Sequence, residues 1–198
     1  MGRILIAGIL GGLAMFAGGA FSHMFLEFES RQFARMNDES AVKEFITTQG
    51  FRSGMYGFPT VSADYERMSP TEKEADASRL NSDFKQGPSG LLIIAPTGED
   101  MMGPKQLVGE LIANILAALL AALVTAHFTM SASFSRRWLL IVLMAPIAWL
   151  TLTLSFTLWY RFPIAFIQDG LFVGLIEWTL AGGVIAAIVQ PIMHNRQI

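Results

Sequence analysis

The chain has 198 residues, of which 53% are hydrophobic and 15% charged, and its formal net charge is −2. This composition excludes a disordered or collagen-like chain, and the lack of a basic excess excludes a nucleic-acid binder that uses a basic patch. Because cysteine is absent, a disulfide framework and a thiolate metal site are excluded as well.

The charged residues are unevenly distributed along the chain. Of the 30 charged residues, 13 acidic and 9 basic ones fall between Ser22 and Leu107, and only 8 are spread over the rest, which consists of long apolar runs. A single soluble globule would not separate them in this way. The pattern predicts a mainly α membrane protein that carries one polar insert.

Four apolar runs approach the roughly 20 residues that a helix needs to cross a bilayer. The predicted layout, in chain order, is transmembrane helix 1 at 1–22, an α/β insert at 23–106, and transmembrane helices at 107–128, 137–160 and 163–192. Two points stay open. The first run could be a signal peptide with a cleavage site near Gly18-Gly19-Ala20, and the last helix could begin at Pro163 or nearer Gly170.

The distribution of basic residues predicts the orientation. The short loop between the second and third spans carries Arg136 and Arg137, and positive residues favour the cytoplasmic side. Arg3 and Arg196 then lie in the cytoplasm too. We therefore expect a multi-pass inner-membrane protein with both termini cytoplasmic and residues 23–106 extracytoplasmic, although Arg31, Arg35 and Lys105 lie near the outer ends of the spans.

Local signals within the insert predict a small α/β unit. Asn37 or Asp38 can cap a helix that ends at Gly50, and a short strand is expected at 55–58. The sequence Ser69-Pro70-Thr71-Glu72 is typical of a capping box with proline at the first helical position. That second helix should run to about Gln86 with Leu80 and Phe84 directed inward.

The run 91–95, bounded by Gly90 and Pro96, predicts a buried strand. The resulting order of strand, helix and strand predicts a βαβ crossover, so the two strands should be parallel if they pair. Since two strands alone make a weak sheet, the insert is expected to lean on its own transmembrane helices or on a partner.

The most costly residue for a membrane protein is Glu177, which lies inside the last apolar run. Its carboxylate can act as a proton or ion relay, as a polar lock between helices, or as a contact to another subunit. The other polar candidates in the outer half are Glu110 and Asn114, one helical turn apart, and Arg161 and Asp169, which flank the short outer loop. We expect Arg161 to neutralise Glu177 or Glu110; a pocket for a lipid headgroup or a small solute is the alternative.

Small residues and polar side chains in the spans have structural interpretations. Gly8 with Gly12, Gly170 with Gly174, and Ala113, Ala117 and Ala121 recur at four-residue spacing, which favours close packing within a four-helix bundle or contact with another chain. The hydroxyls of the third span should bond to their own backbone or form hydrogen bonds across helices. Trp138 is expected in the inner aromatic belt, and Trp159 and Tyr160 in the outer one.

No cofactor, metal site or catalytic residue is predicted. Nucleophile, P-loop and zinc-protease motifs are absent from the sequence, which argues against an enzyme. His127 and His194 at matching depth could in principle hold a haem or a metal ion, but histidines are ordinary residues at a membrane interface.

Several segments together resemble a known family. They are Gly54-x-Tyr56-x-x-Pro59, GPSGLLIIAPTG at 87–98, Met102-Gly103-Pro104, GELIANILAALLAA at 109–122 and WYRFP at 159–163. The chain from Gly54 onward resembles a family of bacterial four-helix inner-membrane proteins with no assigned activity. The resemblance implies a bacterial inner membrane and the same layout, and it transfers no catalytic residue.

The sequence therefore predicts a non-enzymatic integral membrane protein that serves as an accessory, scaffold or assembly subunit. Its expected partners are membrane lipids and other membrane-protein subunits, and no nucleic acid. The alternative is a small transporter or lipid-handling protein that uses an outward-facing pocket around Glu177, Glu110, Asn114, Arg161 and Asp169.

Overall fold

The computed structural model describes residues 1–26, 28, 32–98, 100, 102–128 and 132–189. Two compact units are present, one formed by Met1–Ala34 with Asp100–Ile198 and the other by Arg35–Glu99. The regular elements in chain order are α1 (Gly2–Phe25), α2 (Glu39–Thr48), β1 (Gly54–Phe58), α3 (Pro70–Gln86), β2 (Gly90–Ile94), α4 (Pro104–Phe128), α5 (Phe134–Val142), α6 (Met144–Ala148), α7 (Leu154–Tyr160) and α8 (Ile164–Ile188).

Within the described residues, four helical stretches are long and apolar enough to cross a membrane, and they match the four predicted spans. They are α1, α4, the stretch from Phe134 to Tyr160, and α8. The last helix begins directly after Pro163, so the first of the two predicted starts is confirmed. Its predicted end at 192 lies outside the described residues, as do Arg31, His194 and Arg196.

The third span is helical along its length but is interrupted. It consists of α5, α6, a π-helical turn at Trp149–Thr153, and α7. Pro146 has no N–H to donate to the carbonyl of Val142, which is the last residue of α5. The predicted hydroxyl bonds are confirmed: Thr151 Oγ1 donates to Ile147 O at 2.9 Å and Ser155 Oγ to Thr151 O at 3.2 Å.

Glycines allow α1 to pack closely on two helices. Gly8 faces Leu119 of α4 and Gly12 faces Ile115, so α1 and α4 are antiparallel. The predicted close packing within the bundle is confirmed at these two glycines.

The opposite flank of α1 packs on α8. Gly11 contacts Ile185 and Gly18 contacts Leu180, which makes this pair antiparallel as well. Consequently α4 and α8 run parallel to each other along α1, and they contact each other far less than either contacts α1.

The 35–99 unit contains the predicted helices. Asp38 caps α2 by accepting a hydrogen bond from Ala41 N at 2.9 Å, and Gly50 follows the helix with φ +67°. At the start of α3, the Ser69 hydroxyl accepts from Glu72 N, while Glu72 Oε2 accepts from Ser69 N at 2.7 Å. The predicted capping box is therefore confirmed.

The strands pair in the direction opposite to the predicted one. β1 and β2 are antiparallel, with Phe58 opposite Gly90 and Gly54 opposite Ile94. The predicted βαβ crossover is wrong because the connection between β1 and β2 consists of two segments that run in opposite directions. The segment after β1 runs alongside α3, where Thr60 O and Ser62 bond to side chains of α3, and α3 then returns the chain to the end of β1.

Apolar side chains in this unit remain largely exposed. Phe84, predicted to point inward, keeps 51% of its surface exposed, and β2 is half-buried rather than buried. Met55 and Ile93, which are directly opposite in the sheet, are 63% and 64% exposed. Among the described residues of the unit, the one fully buried side chain is that of Asp76.

Candidate functional site

Glu177 lies in the middle of α8 and faces α1. It lies thirteen positions after Ile164, the first residue of the helix, and eleven positions before Ile188, the last. Its side chain is half-buried. A Cβ atom on Gly19 would lie 2.5 Å from Glu177 Oε1, so the carboxylate occupies the space that a larger residue on α1 would fill.

The glycine pair on α1 explains this position. A Cβ on Gly18 would lie 3.6 Å from Glu177 Cα, so both glycines allow the backbone and the side chain of Glu177 to approach α1. These glycines were the candidate cleavage site of a signal peptide. The helix α1 continues beyond them to Phe25.

Glu110 and Asn114 are the other polar candidates, and both lie on α4. Glu110 is exposed on the second turn of that helix. Asn114, one turn further along α4, is only 7% exposed, and its Nδ2 has no hydrogen-bond partner among the described residues. Helical side chains lean toward the N-terminus, so the Asn114 amide is directed toward the turn that carries Glu110.

Arg161 does not join this group. It is exposed at the C-terminus of α7 with φ 62°, and among the described residues it forms no ion pair with Glu177 or Glu110. Because α8 begins at Ile164, about 20 Å of helix separates its start from Glu177. That distance exceeds the length of an arginine side chain, so the predicted neutralisation of Glu177 by Arg161 is wrong.

Asp169 is also separate from Glu177. It is completely buried in the second turn of α8, about 12 Å along the helix from Glu177. It takes part in a hydrogen-bonding or electrostatic interaction of its own. Of the five predicted site residues, Glu110, Asn114 and Glu177 lie on α4 and α8, the two helices that pack on α1.

Arg137 has a structural role that the sequence did not indicate. Its side chain is 8% exposed, and its Nη2 and Nε donate to Ala186 O in the last turn of α8 at 2.9 and 3.3 Å, while Nη1 donates to Ala132 O. A cation at this end of a helix satisfies carbonyls that have no intrahelical partner and opposes the negative end of the helix dipole. The sequence predicted one shared role for Arg136 and Arg137, which was to set the topology. In the structure, the Arg137 side chain also bonds to a carbonyl of α8.

Two tryptophans join the third span to α8. Trp138 Nε1 donates to Thr179 O at 3.2 Å, and Trp149 Nε1 donates to Ile167 O at 2.7 Å. Trp138, predicted as a belt residue, thus also holds two helices together. Neither bond could be read from spacing, because each acceptor is a backbone carbonyl of a distant segment.

Asp76 forms the main polar network of the 35–99 unit. The Ser62 hydroxyl donates to Asp76 Oδ1 at 2.6 Å, and Arg79 Nη2 donates to the same oxygen at 2.7 Å and to Thr60 O at 3.1 Å. The hydrogen bond from Ser62, followed by that from Arg79, holds the pKa of Asp76 below its usual value. This network ties the segment after β1 to α3, which indicates a structural role.

The described part of the chain contains no group of three or more His, Cys, Asp or Glu side chains that could hold a metal ion. His127 Nδ1 lies 2.8 Å from Leu123 O of its own helix. The alternative pairing with His194 falls outside the described residues.

Comparison of the chain with family models, with curated proteins and with solved structures found no match. The resemblance to bacterial four-helix inner-membrane proteins therefore stays a prediction.

Proposed function

We propose that this protein is a non-enzymatic integral membrane protein that acts as an accessory or assembly subunit of a larger membrane complex. In this proposal the four spans anchor the chain in a bacterial inner membrane. Both termini lie in the cytoplasm, and the 35–99 unit binds a partner on the extracytoplasmic side.

The observation that carries this proposal is the missing apolar core of the 35–99 unit. No apolar side chain in its described residues is fully buried, and its two-stranded sheet exposes the opposed pair Met55 and Ile93. Units of this size rarely stay folded without a core, a metal or a partner. Two antiparallel strands are marginal on their own, and exposed apolar sheet faces are typical of interaction sites.

The packing of Glu177 favours this function over the transporter or lipid-handling alternative. Between α1 and α8 a single methyl group on Gly19 would already collide with the carboxylate. A lipid headgroup or a solute of similar size needs a much larger cavity. The contact instead fits a polar group that helps to position two helices.

Native purification of the full chain in a mild detergent tests the proposal. We expect a second membrane protein to copurify in a fixed stoichiometry, and we expect the double variant Met55→Ser with Ile93→Ser to lose it. Met36→Ser with Val61→Ser is the matched control, because both residues are exposed in the same unit but lie outside the sheet. A monodisperse single-chain species from native membranes, with no copurifying subunit, would contradict the proposal.

A further inference from the structure

A cavity of about 290 Å³ lies within the 35–99 unit, where the end of β1, the last turn of α3 and the turn into β2 meet. The residues that line it are Phe58, Pro59, Asp83, Gln86, Gly87 and Pro88. Its volume is close to the lower end of the range for small-molecule sites. The cavity therefore suits a ligand group of the size of a single side chain or a small solute.

The side chains that line the cavity have acceptor atoms to spare. Asp83 Oδ2 accepts a hydrogen bond from Arg79 Nη1 at 2.8 Å, whereas Asp83 Oδ1 accepts none from a described residue. Gln86 Nε2 donates to Ser82 Oγ at 3.0 Å, and the amide oxygen of Gln86 has no described donor. A carboxylate oxygen accepts only, and it bonds most strongly to a charged donor. A ligand that supplies N–H donors therefore fits this lining.

The charges around the cavity favour a cation. Arg79 is shared between two carboxylates, with its Nη2 2.7 Å from Asp76 Oδ1 and its Nη1 2.8 Å from Asp83 Oδ2, so one negative charge of this group stays unbalanced. The cavity also lies at the C-terminal end of α3, which is the negative end of the helix dipole. Lys85 belongs to the same turn but does not line the cavity. The lining residues thus carry a negative charge and no positive one.

Three rings supply the apolar walls of the cavity, those of Phe58, Pro59 and Pro88. The Phe58 ring lies against the backbone of β2, because a Cβ on Gly90, its partner in the sheet, would be 3.1 Å from Phe58 Cζ. Phe58 nevertheless stays 46% exposed, so part of the ring is accessible to a ligand. An aromatic ring beside a carboxylate binds ammonium and guanidinium groups, and the rings of proline pack on a hydrocarbon stem.

We propose that this cavity binds an alkylammonium or guanidinium group, with Asp83 as the charged acceptor, Gln86 as a second acceptor, and Phe58 with the two prolines around the hydrocarbon stem. The group belongs either to a free small amine or to a lysine or arginine side chain of another protein. Met55 and Phe58 are three positions apart in β1, so they lie on opposite faces of the sheet. The cavity is therefore distinct from the face that carries Met55 and Ile93, and the inference does not rest on the assembly role.

Binding of two matched probes to the full chain in lipid nanodiscs tests the site. The probes are N-acetyl-lysine methylamide and N-acetyl-norleucine methylamide, which keeps the hydrocarbon stem but lacks the ammonium group. Titrations followed through the NMR signals of the probes give both dissociation constants. We expect the lysine probe to bind about 3- to 30-fold more tightly, which is the range for one exposed ion pair together with one cation–π contact.

Substitutions in the lining separate the two contributions. Asp83→Asn should remove most of the preference for the lysine probe, whereas Asp64→Asn, the same change on an exposed residue of the unit outside the cavity, should keep it. Phe58→Leu should reduce the preference in part, because the carboxylate remains. Phe84→Leu is its control, since Phe84 is exposed and does not line the cavity. Hydrogen exchange in 60–86 equal to that of the wild type shows that each variant keeps its fold.

A third probe, n-butylammonium, identifies the source of the cation. If it binds at least as tightly as the lysine probe, the cavity receives a free amine; if the lysine probe binds more tightly, the amide groups beside the stem contribute and the cavity receives a protein side chain. Equal binding of the lysine and norleucine probes to the wild type overturns the site, and this comparison depends on no variant. An unchanged preference in a folded Asp83→Asn overturns it as well.

Discussion

Replacement of Gly12 by alanine probes a close contact between α1 and α4. A Cβ on Gly12 would lie 2.7 Å from Ile115 N and 2.8 Å from Ile115 Cγ1, whereas ordinary contacts begin at 3.4 Å. The nitrogen belongs to the backbone of α4 and cannot rotate away. The helices α1 and α4 must therefore separate locally by at least roughly 0.7 Å, the difference between 3.4 and 2.7 Å, because Ile115 Cα would lie closer still.

The expected magnitude is the balance of two effects. Overpacking of this kind costs about 1–3 kcal/mol, and a separation near 0.7 Å also removes part of the dispersion energy along the contact. Alanine in a helix gains up to about 1 kcal/mol over glycine. We expect Gly12→Ala to lower the free energy of unfolding by about 1–2 kcal/mol, because the steric cost exceeds the gain in helix propensity.

Gly183→Ala is the matched control on α8. A Cβ at that position meets no atom within 4 Å, so only the propensity term applies and the variant should be as stable as the wild type or more stable by up to about 1 kcal/mol. Unfolding by titration with a denaturing detergent, followed through the four tryptophans, measures both. If Gly12→Ala is no less stable than Gly183→Ala, the close approach of α1 and α4 is wrong.

Three further predictions follow from polar groups and topology. Arg137→Gln should destabilise the bundle by about 1–3 kcal/mol in the same assay, because it leaves carbonyls of α8 without their partner, whereas Arg136→Gln should have little effect; equal losses in both variants would contradict a capping role for Arg137. The pKa of Asp76 is lowered in the folded state, so its stabilising contribution should be complete above about pH 4 and lost as the pH falls through the lowered folded value; hydrogen exchange in 60–86 should rise at acid pH in the wild type, and Asp76→Asn should reduce that dependence to the part contributed by Glu72, whose pKa is also lowered. Alkaline phosphatase fused at Ser62 should be active, and an inactive fusion would reverse the proposed topology.

Much of the fold follows from local sequence. The capping box at Ser69 and Glu72 appears where it was predicted because its bonds join residues three positions apart. The apolar runs became helices for a similar reason: backbone hydrogen bonds within a helix are satisfied locally, so run length alone indicates a span. Glu177 is unusual on the same local grounds, because a carboxylate inside an apolar run is costly.

The direction of strand pairing could not be obtained in this way. Whether β2 runs parallel or antiparallel to β1 depends on the path of the connection. The contact of Ser62 with Asp76, fourteen residues apart, shows that this connection folds back along α3. The order of helices and strands along the sequence does not show whether the connection folds back in this way.

The candidate site shows the same division. The placement of Glu110, Asn114 and Glu177 within apolar runs of the sequence already marks them as exceptional, because a charge or an amide there has a high desolvation cost. Which of them meet was decided by the tertiary structure: the start of α8 at Ile164 removed Arg161 from reach, and Gly19 created the space that Glu177 occupies. Sequence lists the groups that need partners, whereas the packing of distant helices decides which partners are within reach.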